Sequence, residues 1–223
     1  MKHTRTAFAL SLAIGMAVLA TAPAAVAQQS IDKVNGSISA EAGQSYGDLE
    51  TVNGSIRIDD GARVRDAGTV NGAIRAGTDI QVDSLSTVNG GIRVAENARI
   101  AGDVSTVNGG IFIDRGGDIG GNVETVNGSI GLVDTDLAGG IETVSGDVTV
   151  GAGSHVRGGI RYHKPGMRWF SMKRSTPRVI IGPDARVDGE LVFEHEVNLH
   201  VHRSAQIGQV TGATAVRFDG ATP

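Results

Sequence analysis

Ile58-Asp59-Asp60-Gly61-Ala62-Arg63-Val64-Arg65-Asp66-Ala67-Gly68-Thr69-Val70-Asn71-Gly72-Ala73-Ile74-Arg75 is the stretch that decides the fold. It holds one copy of Thr-Val-Asn-Gly, which recurs intact at residues 51–54, 87–90, 106–109 and 125–128. Lys33-Val34-Asn35-Gly36 precedes the series and Thr143-Val144-Ser145-Gly146 follows it. From Val34 to Val144 the steps, valine to valine, are 18, 18, 18, 19, 19 and 18 residues. A helical hairpin repeat needs about 33 residues or more, so this period predicts one coil of a β-solenoid. Ile58, Val64 and Val70, then Val82, Val88, Val94 and Ile100, lie six apart. Three six-residue sides make a triangular coil, and the expected fold is an all-β, single-stranded parallel β-helix.

Within each six-residue side the first and fifth positions are expected inward, because strand side chains alternate with period two. That places Val88 and Ile92 in the core and Arg57, Arg63, Arg65, Arg75, Arg93 and Arg99 outside. The Asn-Gly pairs predict a corner, since Asn and Gly tolerate positive φ best. Asn35, Asn53, Asn71, Asn89, Asn108 and Asn127 should then stack at the spacing of about 4.8 Å between neighbouring strands and bond amide to amide. A parallel column of Thr51, Thr69, Thr87, Thr106, Thr125 and Thr143 is expected beside it, and both columns read as structural. The six-residue step continues through Val150 and Val156, breaks at Arg161 and resumes at Ile181, Val187, Phe193 and Leu199. One solenoid of roughly nine coils over residues 28–210 is predicted. An insertion at a corner would fill residues 161–177, and residues 211–223 would form a cap or tail through Val216 and Phe218. Bulky fifth positions such as Ile56, Ile74, Ile92, Ile111 and Ile130 point to a right-handed coil.

Residues 1–27 have the pattern of a signal peptide: Lys2 and Arg5, an apolar run over residues 8–20, and Ala25-Val26-Ala27 before Gln28. The apolar run falls short of the roughly 20 residues a spanning helix needs. Export to the periplasm or beyond, with cleavage between Ala27 and Gln28, is the expectation. The chain has no cysteine, which rules out disulfides and an acylated cysteine anchor. Without Lys2 and Arg5, 18 basic side chains face 24 acidic ones, a formal charge of −6 that argues against nucleic acid as the main partner.

The insertion departs from the rest in composition. Residues 161–164 and 167–174 bring Arg161, Lys164, Arg168, Lys173 and Arg174 together with Trp169, the single Trp of the chain, and Phe170, with no acidic residue. Residues 33–160 hold 9 basic and 17 acidic side chains. A basic, aromatic loop on an acidic rod suits an anionic membrane surface or envelope polymer; the alternative is a loop whose Trp169 and Phe170 cover the solenoid flank. His195, His200 and His202, with Glu194 and Glu196 adjacent, are weak candidates for a metal site, because His200 and His202 share one outward face. No nucleophile elbow, phosphate-binding glycine loop or His-Glu-x-x-His motif is present, so no catalytic residue and no cofactor are assigned.

Ile181-Gly182-Pro183-Asp184-Ala185-Arg186-Val187-Asp188-Gly189-Glu190-Leu191 resembles the Ile-Gly-x-x-Ala-x-Val-x-Gly coil of bactofilins, polymer-forming bacterial β-helix proteins. The Thr-Val-Asn-Gly-Ser-Ile coils resemble the adhesin-type β-solenoids of exported bacterial proteins. These resemblances imply a non-catalytic structural or adhesin-like envelope protein able to associate end to end, because open solenoid ends leave strand edges unpaired. The leader sequence departs from bactofilins. The alternative is an enzyme similar to hexapeptide-repeat acyltransferases, with His155 or His163 as general base. The bulky isoleucines at the fifth position depart from that pattern too.

Overall fold

The computed structural model describes residues 28–165, 176–220 and 222–223. The proposed leader, residues 1–27, lies outside them. Every described element is a strand, and successive strands stack in parallel one coil apart. The chain forms a β-solenoid of about ten turns with three strand columns. One column is a ten-stranded sheet running from Ile38–Ala40 to Ala215–Phe218. The other two belong to a sixteen-stranded sheet that bends around one edge of the prism. In the early coils that bend is taken inside single strands, Ser45–Asn53, Arg63–Asn71 and Gln81–Asn89. From Arg99–Ile100 and Val104–Asn108 onward the strand divides in two. The cause is one extra residue: Val82 to Leu85 is three steps, whereas their registered partners Ile100 and Val104 are four apart.

The core is a single aliphatic column. Ile56, Ile74, Ile92, Ile111 and Ile130 are stacked in register and buried, as their fifth position requires. The expected parity fails at one place. Val34, Val52, Val70, Val88, Val107 and Val126 face solvent, and from Thr51 onward the preceding threonines face the core: Val88 is 40 % exposed and Thr87 5 %. Hydrogen bonding accounts for the exchange. Thr51, Thr69, Thr87, Thr106 and Thr125 each donate Oγ1–H to a glycine carbonyl one coil back, over 2.8–3.1 Å, from Gly36 O to Gly109 O. An inward valine has no donor for that acceptor, and a buried hydroxyl needs a partner.

The Asn-Gly corner also differs from its expected geometry. None of the ladder asparagines has a positive φ, and at this corner only Gly36 and Gly146 do. Glycine is required there by proximity instead: a Cβ on Gly72 would overlap the Gly54 carbonyl, and one on Gly90 that of Gly72. The left-handed turns sit at another corner, one per coil, at Gly43, Gly61, Asp79, Asn97, Gly116, Asp134, Gly153 and Asp184, with φ between 45° and 74°. Glycine, Asn and Asp carry that conformation at the least steric cost.

Two boundaries move. Past the expected end of the solenoid at residue 210, Val210–Thr211 pairs with Leu191–Phe193, and Ala215–Phe218 pairs with Asn198–His202, adding a rung to the prism. Val216, expected in a cap contact, is 55 % exposed because it takes an outward strand position. The insertion begins later than Arg161, since Ile160–Tyr162 is a strand and Tyr162 is buried in the core. Tyr162 to Val179 is 17 steps where the registered Thr143 to Val148 is five, so the inserted residues replace the Asn-Gly corner of that coil.

Candidate functional site

Stacking in register turns every outward position into a column along the rod, and the columns carry the exposed chemistry. The amide column is continuous: Asn53, Asn71, Asn89, Asn108 and Asn127 each donate Nδ2–H to the Oδ1 of the asparagine one coil back, beginning at Asn35, over 2.9–3.1 Å. Ser145 Oγ then donates to Asn127 Oδ1 at 3.0 Å. Each internal amide has its donor and acceptor engaged along the axis, which suits a structural seam better than a ligand stripe. Beside it the valines form an exposed apolar stripe.

The root of the insertion has a different architecture. Tyr162 occupies the threonine position, in register with Thr143 and Phe193. Its hydroxyl donates to Gly146 O at 2.9 Å, the bond that threonines make in earlier coils. Its ring lies 5.6 Å from Phe193 and meets His195 edge-on at 5.7 Å. Burial, followed by the nearby Asp147 carboxylate, pushes the Tyr162 hydroxyl far above its ordinary pKa. Lys164 donates its backbone N–H to the Glu194 carboxylate at 2.9 Å, and Arg178 its own to Asp147 at 2.8 Å, so acids of the solenoid hold both described ends of the insertion. Arg161 and Lys164 are exposed. Arg168, Trp169, Phe170, Lys173 and Arg174 lie outside the described residues.

His155 and His163 share the coil that bears the insertion, and each sits between carboxylates of the coils on either side. His155 Nε2 is 2.8 Å from Asp188 and its Nδ1 3.8 Å from Asp136. His163 Nε2 is 2.8 Å from Glu142 and its Nδ1 3.9 Å from Glu194. The His155 hydrogen bond, then that of Arg186, holds Asp188 below the usual carboxylate value. Similarly, the paired Arg65 guanidinium lowers Asp48. The acid–histidine–acid sandwiches were not anticipated, and column spacing alone would not have found them, because the registered neighbours of His155 are Asp136 and Arg186, and Asp188 reaches it from two residues further along.

The three C-terminal histidines do not converge. His195 turns its ring nitrogens to the carbonyls of Val144 and Glu196, at 2.9 and 3.1 Å. His202 engages Ser204 through Nδ1 and meets Phe218 edge-on at 5.2 Å. His200 stands half-buried between Ile180 and Val216 on the outward side of its strand. Among the described residues no group of three His, Cys, Asp or Glu side chains is placed to hold a metal ion.

On the third side of the prism, Arg57, Arg75 and Arg93 are direct registered neighbours, followed by Phe112. All three arginines are exposed, and the Arg93 guanidinium lies over the Phe112 ring, 5.1 Å from its centre. Asp59 approaches Arg57 at 3.8 Å. No family model matches the chain, and no curated protein or solved structure matches it either.

Proposed function

We propose that this is an exported, non-catalytic envelope protein of structural or adhesin-like character, related in kind to bactofilins, that associates end to end and presents its basic insertion to anionic envelope components. The open ends of the rod support this reading. Among the described residues, Ile38–Ala40 pairs only with Ile56–Ile58, and Ala215–Phe218 only with Asn198–His202. Ile38 N–H donates to Ser55 O, and Ala40 O accepts from Asp59 N–H. Alternation along a parallel ladder then turns the Ser39 N–H and C=O toward the open edge, where a strand of a second copy can add in register.

The test is sedimentation velocity with negative-stain microscopy on the wild type and Ser39→Pro. Proline removes the edge donor and leaves the bonds to the next coil in place. The expected result is filaments or discrete oligomers in the wild type and monomers in the variant. A wild type that stays monomeric at high concentration sinks end-to-end assembly. For the insertion, deleting residues 166–175, which spares Tyr162, should cut sedimentation with anionic vesicles, and rising salt should do the same.

A further inference from the structure

Several stacked charges elsewhere on the rod have a registered neighbour of opposite sign, although Asp32 and Glu50 stack as like charges near the N-terminal end. Asp118 registers with Arg99, Asp136 with His155, and Glu142 with Arg161. The column that contains Arg57, Arg75 and Arg93 has no acid in register; Asp59, two residues along the chain, approaches Arg57 alone, at 3.8 Å. The column's other registered positions are Ser39, Phe112, Gly131, Thr149 and, further along, Ile180, His200 and Val216, none of them an acid. Like charges directly opposite on a sheet are destabilising, so the three guanidiniums carry a cost within the solenoid that an external anion would offset. Phe112 holds the last of them in place through its ring, which limits the freedom Arg93 would lose on binding. Beside Arg75 and Arg93 an open trough passes Ala73, Gly91 and Gly110, whose small size leaves its floor clear, with Asp147 the one acid in its lining.

We propose that this side of the prism binds a linear acidic polysaccharide, its carboxylates paired with Arg57, Arg75 and Arg93 and its sugar rings lying in the trough. The guanidiniums repeat at the interstrand spacing of about 4.8 Å, close to the saccharide repeat of an extended glycan. The phosphates of a base-stacked strand advance by about 3.4 Å per nucleotide and run out of register after one contact. The flanking coils also disfavour a dense polyanion, with 17 acidic against 9 basic side chains in residues 33–160. Planar guanidinium forks fit carboxylates two bonds at a time. This inference does not depend on end-to-end assembly or on the insertion, because a monomer offers the same column.

Calorimetric titration with polygalacturonate, with its methyl-esterified form and with an oligothymidylate is the test. Polygalacturonate should bind, more weakly as salt rises, and the neutral ester should not. Arg75→Gln should weaken binding about five-fold, in line with one cation at an anionic surface, and the triple Arg57→Gln, Arg75→Gln, Arg93→Gln variant should abolish it. All three residues are exposed and repel one another, so the glutamine variants should melt at the wild-type temperature or slightly above it; if the triple variant melts early, the single variant decides. Equal binding of the ester, tighter arginine-dependent binding of the oligothymidylate, or undiminished binding by the glutamine variants overturns the proposal. The last result, with binding lost instead on deleting residues 166–175, would assign the anion to the insertion.

Discussion

The coils up to Gly146 and those from His155 onward share one prism but close it differently. In the first set, from Thr51 to Thr125, a buried threonine donates to a glycine carbonyl one coil back, and the asparagines stitch the corner outside; Thr143, the last of the column, donates to Ser145 O instead. In the second, Tyr162 makes the same bond to Gly146 O, Phe193 fills the next rung, and the amide column gives way to the inserted residues. The position therefore takes a hydroxyl where a glycine carbonyl faces it, from Thr51 to Thr125 and again at Tyr162, and a purely apolar ring at Phe193. Once the Asn-Gly corner is removed, the larger Tyr162 and Phe193 fill the core of that region, and carboxylates take over the outer seam.

The largest effect should separate two adjacent positions. Ile92→Asp places an unpaired carboxylate among side chains that are 1 % exposed or less, at a cost of several kcal/mol, and should unfold the middle of the rod. Val88→Asp, on the exposed stripe, should shift stability by about 0.5 kcal/mol or less. Thermal melts followed by circular dichroism compare them; similar losses in both would refute the inward threonine parity.

Next in size is Tyr162→Ala, at about 3 kcal/mol or more, because it empties the aromatic rung. Tyr162→Phe keeps the ring and loses only the bond to Gly146 O, at about 1 kcal/mol. Thr87→Val removes the equivalent bond to Gly72 O and should cost a similar amount. If chemical denaturation finds Tyr162→Phe neutral while Thr87→Val is costly, the two regions do not share one requirement.

Asn89→Ala breaks the bonds to Asn71 and Asn108 at an exposed site, so about 0.5–1 kcal/mol is expected. Normal stability with loss of a binding partner would turn the amide column into a recognition surface.

The smallest effect concerns Asp188, whose pKa lies below 3.8 because His155 and then Arg186 bond to its carboxylate. A group with a lowered folded-state pKa stabilises above the unfolded value, and that contribution is lost as pH falls through the folded one. Stability should therefore fall in acid below about pH 3.8, and Asp188→Asn should flatten that fall. Identical acid profiles for the two proteins would show that the sandwich contributes nothing to the fold.

Residue spacing alone located most of this architecture. The 18-residue step of Thr-Val-Asn-Gly determined the coil, and the six-residue step determined its three sides. Ile56, Ile74, Ile92, Ile111 and Ile130 read correctly as core because the strand's period of two holds between corners. That period does not carry across a corner, which is why Thr87 and Val88, both β-branched and both suited to strands, exchanged faces. The left-handed corner was legible in principle: Gly61-Ala62, Asp79-Ile80, Asn97-Ala98 and Asp184-Ala185 repeat a turn former before a buried residue. Asn-Gly, the stronger turn signal, drew the assignment to the wrong corner.

The sequence by itself determined a parallel solenoid, its period, its aliphatic core and the position of the interruption, because these follow from local alternation and repetition. Tertiary structure alone decided which side chains meet between coils. The Thr87 hydroxyl reaches the Gly72 carbonyl, Tyr162 replaces a threonine, His155 rests between Asp136 and Asp188, and Arg57, Arg75 and Arg93 stack with no acid in register. Such contacts depend on register across 18 or more residues of chain, and a one-residue extension at a bend or a 12-residue insertion at a corner resets that register without showing locally which side chains will then meet.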